Sequence, residues 1–207
     1  MKHDHKHILV ALAGQPNCGK STIFNMLTGA RQHVANFPGV TVEKKQGSYR
    51  HGEHRIDIVD LPGTYSLTSY TQEERVARDF ILLEKPEVVV VVVDAANLER
   101  SLYLAFQIRE MDVPMILCLN MMDVAERRGF KIDLRQLQEK LGVSVVSTVG
   151  TKGVGREELK KAIIEMCEFA NHHLNSWRLH YGELLEPVLD TLSGELTKHE
   201  HLMEDFN

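Results

Sequence analysis

Ile8 to Ala13 is a short apolar run, and Gly14-Gln15-Pro16-Asn17-Cys18-Gly19-Lys20-Ser21 follows it at once. These eight residues fit G-x-x-x-x-G-K-[ST], a loop that wraps phosphates. Ser21 to Leu27 then reads as the opening of a helix. A buried strand, a glycine loop and a helix in that order constrain the fold more than any other part of the chain. Gly14 and Gly19 let backbone N–H groups turn inward where no Cβ obstructs a phosphate. The helix N-terminus adds the positive end of its dipole. Lys20 is placed to reach the β- and γ-phosphates as a point charge, and the Ser21 hydroxyl to ligate Mg²⁺.

The rest of the chain is consistent with one α/β domain and a small appendage. It has 207 residues, 43% hydrophobic and 26% charged. That composition supports a packed core. The formal net charge is −5 and there is no long basic run, which argues against a nucleic-acid surface. Cys18, Cys118 and Cys167 are odd in number and far apart. They form neither a zinc motif nor a disulfide framework, so a reducing cytosol is expected. The polar N-terminus carries no signal peptide, and the longest apolar run, Val88 to Val93, is far short of a bilayer span.

Short β-rich runs alternate with helical ones. The expected strands are Ile8–Ala13, Val42–Tyr49, His54–Asp60, Glu87–Val93, Pro114–Asn120 and Ser144–Val149. Most lack polar alternation, as strands covered on both faces do. Val42–Tyr49 is more polar and reads as an edge strand joined to the next by a hairpin through Gly52. Helices are expected over Ser21–Leu27, Thr71–Leu83, Leu98–Met111, Leu134–Leu141 and Arg156–Ala170, with Asp133 and Gln136 forming a capping box. This pattern predicts a mostly parallel six-stranded sheet with helices on both faces. Ligands then bind at the carboxyl ends of the strands. The domain is expected over residues 1–171. Residues 172–207 read as a partial helical domain, in which Leu184, Leu185, Val188, Leu189 and Leu192 recur at helical spacing.

Two further motifs fall on the same rim. Asp60-Leu61-Pro62-Gly63 closes the third strand. Asp60 suits a water of the Mg²⁺ shell, and the Gly63 N–H can approach a γ-phosphate. Asn120-Met121-Met122-Asp123 closes the fifth. Its N-x-x-D spacing suits guanine, because Asp123 accepts from both the ring N–H and the exocyclic amine. Adenine would leave that carboxylate unpaired, which a site of this kind rejects by about 10⁴-fold. Met121 stands where a lysine is usual, and its stem can pack on a base. Ser147-Thr148-Val149-Gly150-Thr151 ends the sixth strand, and either Val149 or Gly150 can offer an N–H to the guanine carbonyl.

Arg31 to Val42 reads as a mobile loop around Asn36-Phe37-Pro38-Gly39, with Val40 and Thr41 at its end. Thr41 is the candidate that closes on Mg²⁺ when a γ-phosphate is present. Thr64 follows Gly63 where a water-orienting glutamine would stand, and no arginine is evident as a finger. Unassisted hydrolysis is therefore expected on the order of 10⁻³ per second or slower. Asn17 can hold K⁺ in the place of an arginine finger. Cys18, beside a helix N-terminus and Lys20, reads as a thiol with raised reactivity. The candidates for catalysis are thus Lys20, Asn17, Thr41 and Gly63.

GQPNCGKSTIFNMLTG, NFPGVTVEKKQG, VDLPGTYSLTSY, VVDAANLERSLYL and LNMMD together resemble the cytosolic N-terminal G domain of FeoB-type bacterial ferrous-iron transporters. The likeness runs from about Ile8 to Ala170. It implies a Ras-like GTPase domain, then a helical domain, then a membrane domain that moves Fe²⁺. It implies phosphate and Mg²⁺ binding by Gly14 to Thr22, K⁺ on Asn17, a first switch at Gly39 to Thr41, and base reading by Asn120 and Asp123. It places the chain at the cytoplasmic face of the inner membrane. The implied partners are GTP and GDP, the protein's own membrane domain and small cytosolic Feo proteins. A nucleotide-binding switch with incidental hydrolysis, and an NTPase that also takes ATP, remain open readings. Three histidine clusters, His3/His5/His7, His172–His173 and His199/His201, read as solvated polar segments rather than iron sites.

Overall fold

The computed structural model describes residues 7–29, 32–169, 182 and 185–198. The chain divides into two compact units, Met1–Asn175 and Ser176–Asn207. The boundary expected at 171/172, and the clusters at His172–His173 and His199/His201, lie outside the described residues. In the second unit one helix, Glu186–Lys198, is described. Leu185, Val188, Leu189 and Leu192 are exposed on or beside it.

The first unit is built on one sheet of seven strands. These are β1 (His7–Gly14), β2 (Gln32–Asn36), β3 (Glu43–His51), β4 (His54–Asp60), β5 (Val88–Asp94), β6 (Met115–Asn120) and β7 (Ser144–Ser147), in the spatial order β2-β3-β4-β1-β5-β6-β7. The five strands β4, β1, β5, β6 and β7 run parallel. β2 and β3 are antiparallel to their neighbours. The architecture is therefore the expected mostly parallel α/β sheet, with one strand more than the six expected.

The additional strand is β2. It occupies part of the segment read as a mobile loop, and it displaces β3 from the edge. All five of its residues are exposed, so no burial pattern marks it. It is held by backbone pairing, with Gln32 opposite Gly47 and Asn36 opposite Glu43, and by the Gln32 amide, which donates to Asn25 Oδ1 at 2.6 Å and the Gly29 carbonyl at 2.9 Å. Only Phe37 to Val42 remains a turn. Even this is anchored, because the Phe37 ring is buried and meets the Phe80 ring edge-on at 6.1 Å.

Helices cover both faces. On one lie α1 (Lys20–Thr28) and α6 (Arg156–Phe169); on the other lie α2 (Gln72–Asp79), α3 (Leu98–Glu110) and α5 (Leu134–Leu141). The short helix α4 (Met122–Arg127) follows β6. Strand β5 is the middle one of the five parallel strands. Val89, Val91 and Val93 enter one core, while Val88, Val90 and Val92 enter the other. Burying a valine contributes about 1.5 kcal/mol or more, so this strand ties the two faces together.

Local sequence sets the helix ends. Thr71 and Glu74 form a full capping box at α2. Asp133 caps α5 by accepting from the Gln136 N–H, which is the backbone half of the expected box. After α2 the helix widens into one π-type turn over Phe80–Glu84. Helix α4 was not foreseen, because it starts inside the Asn120–Asp123 motif, at a Met121 in the left-handed region.

Candidate nucleotide site

The loop Gln15–Gly19 connects β1 to α1 at the carboxyl end of the sheet. Gly19 has φ +83°, and a Cβ there would lie 2.2 Å from Asn120 Nδ2. A Cβ on Gly14 would lie 2.7 Å from the Val92 carbonyl oxygen. Both positions therefore require glycine for space, and Gly19 requires it for conformation as well. Asn17 also has a positive φ, +67°. Asparagine tolerates that region better than most residues.

Within this frame Lys20 Nζ donates to Asp60 Oδ1. The lysine of the phosphate loop and the aspartate that ends β4 are thus in direct contact, and both are largely buried. The Thr64 N–H donates to the Gly14 carbonyl at 3.2 Å. Gly63 lies against Pro16, whose backbone N and Cα atoms are 3.4 Å from where a Gly63 Cβ would stand. Thr64 itself is buried. Its hydroxyl is poorly placed to orient a solvent molecule.

Asn120 joins three segments. It is 2% exposed. Its Nδ2 donates to the Cys18 carbonyl at 3.0 Å. Its Oδ1 accepts from the Gly150 N–H at 3.0 Å and the Thr148 hydroxyl at 3.3 Å. The Val149 N–H donates to the Val154 carbonyl at 3.2 Å. Both N–H groups that were candidates for a base carbonyl therefore have protein partners here. Met121 sends its methyl towards Gly19.

Asp123 lies in the first turn of α4 and accepts from Lys152 Nζ at 2.9 Å. The Lys152 hydrogen bond, with the Lys152 and Arg127 charges, holds its carboxyl below the usual aspartate range. Ser21 is exposed in the first turn of α1. Thr41 is exposed at the end of its loop, and among the described residues no hydrogen bond joins it to the phosphate loop.

One expectation about the site is corrected. Cys18 is not a reactive thiol. It is 2% exposed, and burial pushes it up to about 11 despite the Lys20 charge. Its Sγ packs so close to Gly14 that a Cβ there would lie 2.8 Å from it. Sequence reasoning also missed Lys152, a basic residue two positions past Gly150, and Arg100. The Arg100 guanidinium lies 4.6 Å from the Tyr65 ring centroid. It lines a cavity of about 230 Å³ that Gln15, Pro16 and Asn17 also line. Among the described residues no group of three or more His, Cys, Asp or Glu side chains is placed to hold a metal. No described helix is long and apolar enough to cross a membrane.

Comparison with known proteins gives the family and the fold. The family described as ferrous iron transport protein B matches residues 8–163. An Fe(2+) transport protein A/Fe(2+) transporter FeoB fusion protein of Porphyromonas gingivalis is 45% identical over 91% of this chain and 22% of its own length. The Fe(2+) transporter FeoB of Salmonella typhimurium is 42% identical over 96% of this chain and 26% of its own length. The chain thus spans about a quarter of the length of these relatives. The cytosolic domain of the T. maritima FeoB iron transporter, in a GDP form, superposes with a TM-score of 0.88 at 44% identity. It covers 92% of this chain and 75% of its own. The FeoB G domain of Methanococcus jannaschii gives 0.71 at 47% identity, over 79% of this chain and 99% of its own. The fold is the Ras-like GTPase fold, and the chain belongs to the ferrous iron transport protein B family as its N-terminal G domain.

Proposed function

We propose that this chain binds and hydrolyses GTP, and that in the longer protein this activity regulates ferrous-iron transport by a membrane domain at the cytoplasmic face of the bacterial inner membrane. The observation that carries the proposal is the Asn120 side chain. Through it the phosphate loop, the base motif and the loop after β7 form one hydrogen-bonded unit. That unit joins the proposed phosphate loop to the segment that carries Asp123.

Each residue then has a task. The Gly14–Ser21 backbone, with Thr22, wraps the phosphates. Lys20 exchanges the Asp60 carboxylate for the β- and γ-phosphate oxygens, which frees Asp60. The Gly63 N–H donates to the γ-phosphate, and the Gly39–Thr41 turn closes over it. Asp123 accepts from the guanine ring N–H and amine once Lys152 yields. Asn120 keeps these halves in register, and Met121 packs beside the base. The Gly150 N–H turns from Asn120 to the guanine carbonyl, with the Val149 N–H as its neighbour.

Ser21, Thr41 and Asp60 form an all-oxygen set that suits Mg²⁺, which would neutralise charge on the β- and γ-phosphate oxygens. Asn17, exposed beside the phosphates, is the residue for K⁺, a cation in the position of an arginine finger. The small cytosolic Feo proteins are proposed partners. The fusion of transport protein A to the transporter in the Porphyromonas gingivalis relative supports such a partnership.

Phosphate release from GTP and from ATP, with Mg²⁺ and with either K⁺ or Na⁺, tests the proposal. The expected result is K⁺ stimulation confined to GTP and lost in Asn17→Ala. Equal, very slow rates in both salts would instead favour a second reading, a binding switch awaiting a partner. The burial of Thr64 is the observation behind that reading. Brisk ATP turnover would show that Asp123 does not set selectivity.

A further inference from the structure

The segment DAANLERSLYL belongs to β5 and α3, and none of the roles above uses its helix. Yet α3 grips the chain just past Gly63 at two points. Arg100 lays its guanidinium over the Tyr65 ring at 4.6 Å. Gln107 Oε1 accepts from the Leu67 N–H at 2.9 Å. Arg100 and Gln107 are seven residues apart, two turns on one face of a helix. Tyr65 and Leu67 are two apart in an irregular segment, so the helix face and the segment run side by side.

The same helix is fastened to the phosphate loop. Gln15 Nε2 donates to the Arg100 carbonyl at 2.7 Å. The start of the helical stretch is fixed by Asp94, which accepts from the Ala96 N–H at 2.8 Å and from Asn97 Nδ2. Ser101 donates to the Asn97 carbonyl at 3.0 Å. The 230 Å³ cavity lies where these pieces meet, with Asn17 on one wall and Tyr65 and Arg100 on the others.

We propose that α3 is a positioning element for the Gly63–Leu67 segment, and that Arg100 and Gln107 are its two positioning residues for hydrolysis. The inference rests on the GTPase reading above. Arg100 and Gln107 act through Tyr65 and Leu67, so they set where the Gly63 N–H stands relative to the Gln15-anchored phosphate loop. A γ-phosphate needs that N–H, whereas GDP does not. Loosening the grip therefore slows turnover and leaves GDP binding alone. Without a water-orienting glutamine, the rate depends all the more on groups held in place beforehand.

The test uses the full 207-residue chain. GTP turnover and affinity for fluorescent mant-GDP are measured for Arg100→Ala, Gln107→Ala and the double variant. Each single change is expected to lower kcat about two- to five-fold, the reach of one exposed cation–π contact or one hydrogen bond. The double change is expected to lower it about tenfold, with the GDP dissociation constant within about twofold of wild type. Tyr65→Phe keeps the ring and should retain the wild-type rate. Tyr65→Ala should copy Arg100→Ala, and combining those two should add nothing. A kcat unchanged in both single variants overturns the inference while the GTPase reading stands. So does a GDP affinity that falls in step with kcat, which would mean only that the phosphate loop had loosened. A wild-type chain that binds GTP and releases no phosphate overturns the GTPase reading and this inference together.

Discussion

Lys152 donates to Asp123 at 2.9 Å from across the loop that follows β7. The contact engages the carboxylate that guanine needs on the proposed reading. Both side chains reach solvent, at 61% and 26% exposure, so the pair is weakly bound and readily exchanged. Lys152 is in that sense a competitor for the base, fixed to the protein.

Removing the competitor should slow nucleotide release. Lys152→Ala is expected to reduce the mant-GDP dissociation rate about two- to five-fold, the scale of an exposed ion pair. Added salt should narrow the difference between wild type and variant. Stopped-flow displacement by unlabelled GDP measures both. Release that is unchanged or faster in the variant would show that Lys152 does not contend with the base.

A methyl group at Gly19 should destroy the site. The φ of +83° is costly for alanine, and the new Cβ would overlap Asn120 Nδ2 at 2.2 Å. The left-handed conformation alone costs about 1–2 kcal/mol. Displacing Asn120 then uncouples the phosphate loop from the β7 loop. Gly19→Ala is expected to lose mant-GDP binding by at least tenfold and to melt several degrees lower. A variant with normal binding would contradict the clash.

Asn120→Ala probes the same junction from the other side. It strips partners from the Cys18 carbonyl and the Gly150 N–H, while Thr148 keeps the Leu119 carbonyl as an acceptor. Each buried group left unpaired costs about 1–3 kcal/mol, so urea unfolding should show a loss of about 2–5 kcal/mol. A loss below 1 kcal/mol would mean that the three segments hold together without this side chain.

Much of this junction could be read from spacing, and some could not. The strands that carry Gly14 and Asn120 are unbroken apolar runs, which burial on both faces demands, and the one that carries Asp60 ends in the buried Ile58-Val59-Asp60. Their ends therefore fell where expected, and the motifs with them. Strand β2 left no such trace, because Gln32–Asn36 buries nothing and pairs with β3 through backbone groups that any sequence offers. Lys152 and Arg100 were invisible for another reason. Neither belongs to a motif with fixed spacing. Their contacts exist only because the β7 loop folds back over α4 and because α3 starts beside the phosphate loop. The Cys18 environment was misread because proximity to Lys20 was weighed without knowing that the thiol would pack against Gly14 within a buried apolar cluster.

The buried thiols set an alkaline limit on stability. Burial raises Cys18 to about 11 and Cys118 to about 12, from an ordinary value near 9. The folded protein thus holds these protons where the unfolded chain has released them. The stabilisation is complete below about pH 9 and is lost as pH rises through the raised values. Melting temperatures taken from pH 8 to pH 11 should fall along this window, and Cys18→Ala should flatten the fall. At pH 7 both thiols should resist iodoacetamide in the folded state and react freely in urea. Rapid labelling of native protein at neutral pH would contradict this burial.

Strand β5 offers its neighbours six identical side chains, three to each face. A slip of one residue would exchange the faces and change nothing in apolar content, so the valines cannot themselves say which alignment is right. That information lies at the two ends. Glu87 accepts from the Leu9 N–H at 2.7 Å on one side, and Asp94 fixes the first turn of the next helix on the other. The apolar run is thereby a neutral filler whose two ends are marked by carboxylates, and the second of them caps the single 3-10 turn that leads into α3. A charge at each end of the apolar run, rather than the run itself, marks where this strand lies beside β1 and where it gives way to the turn before α3.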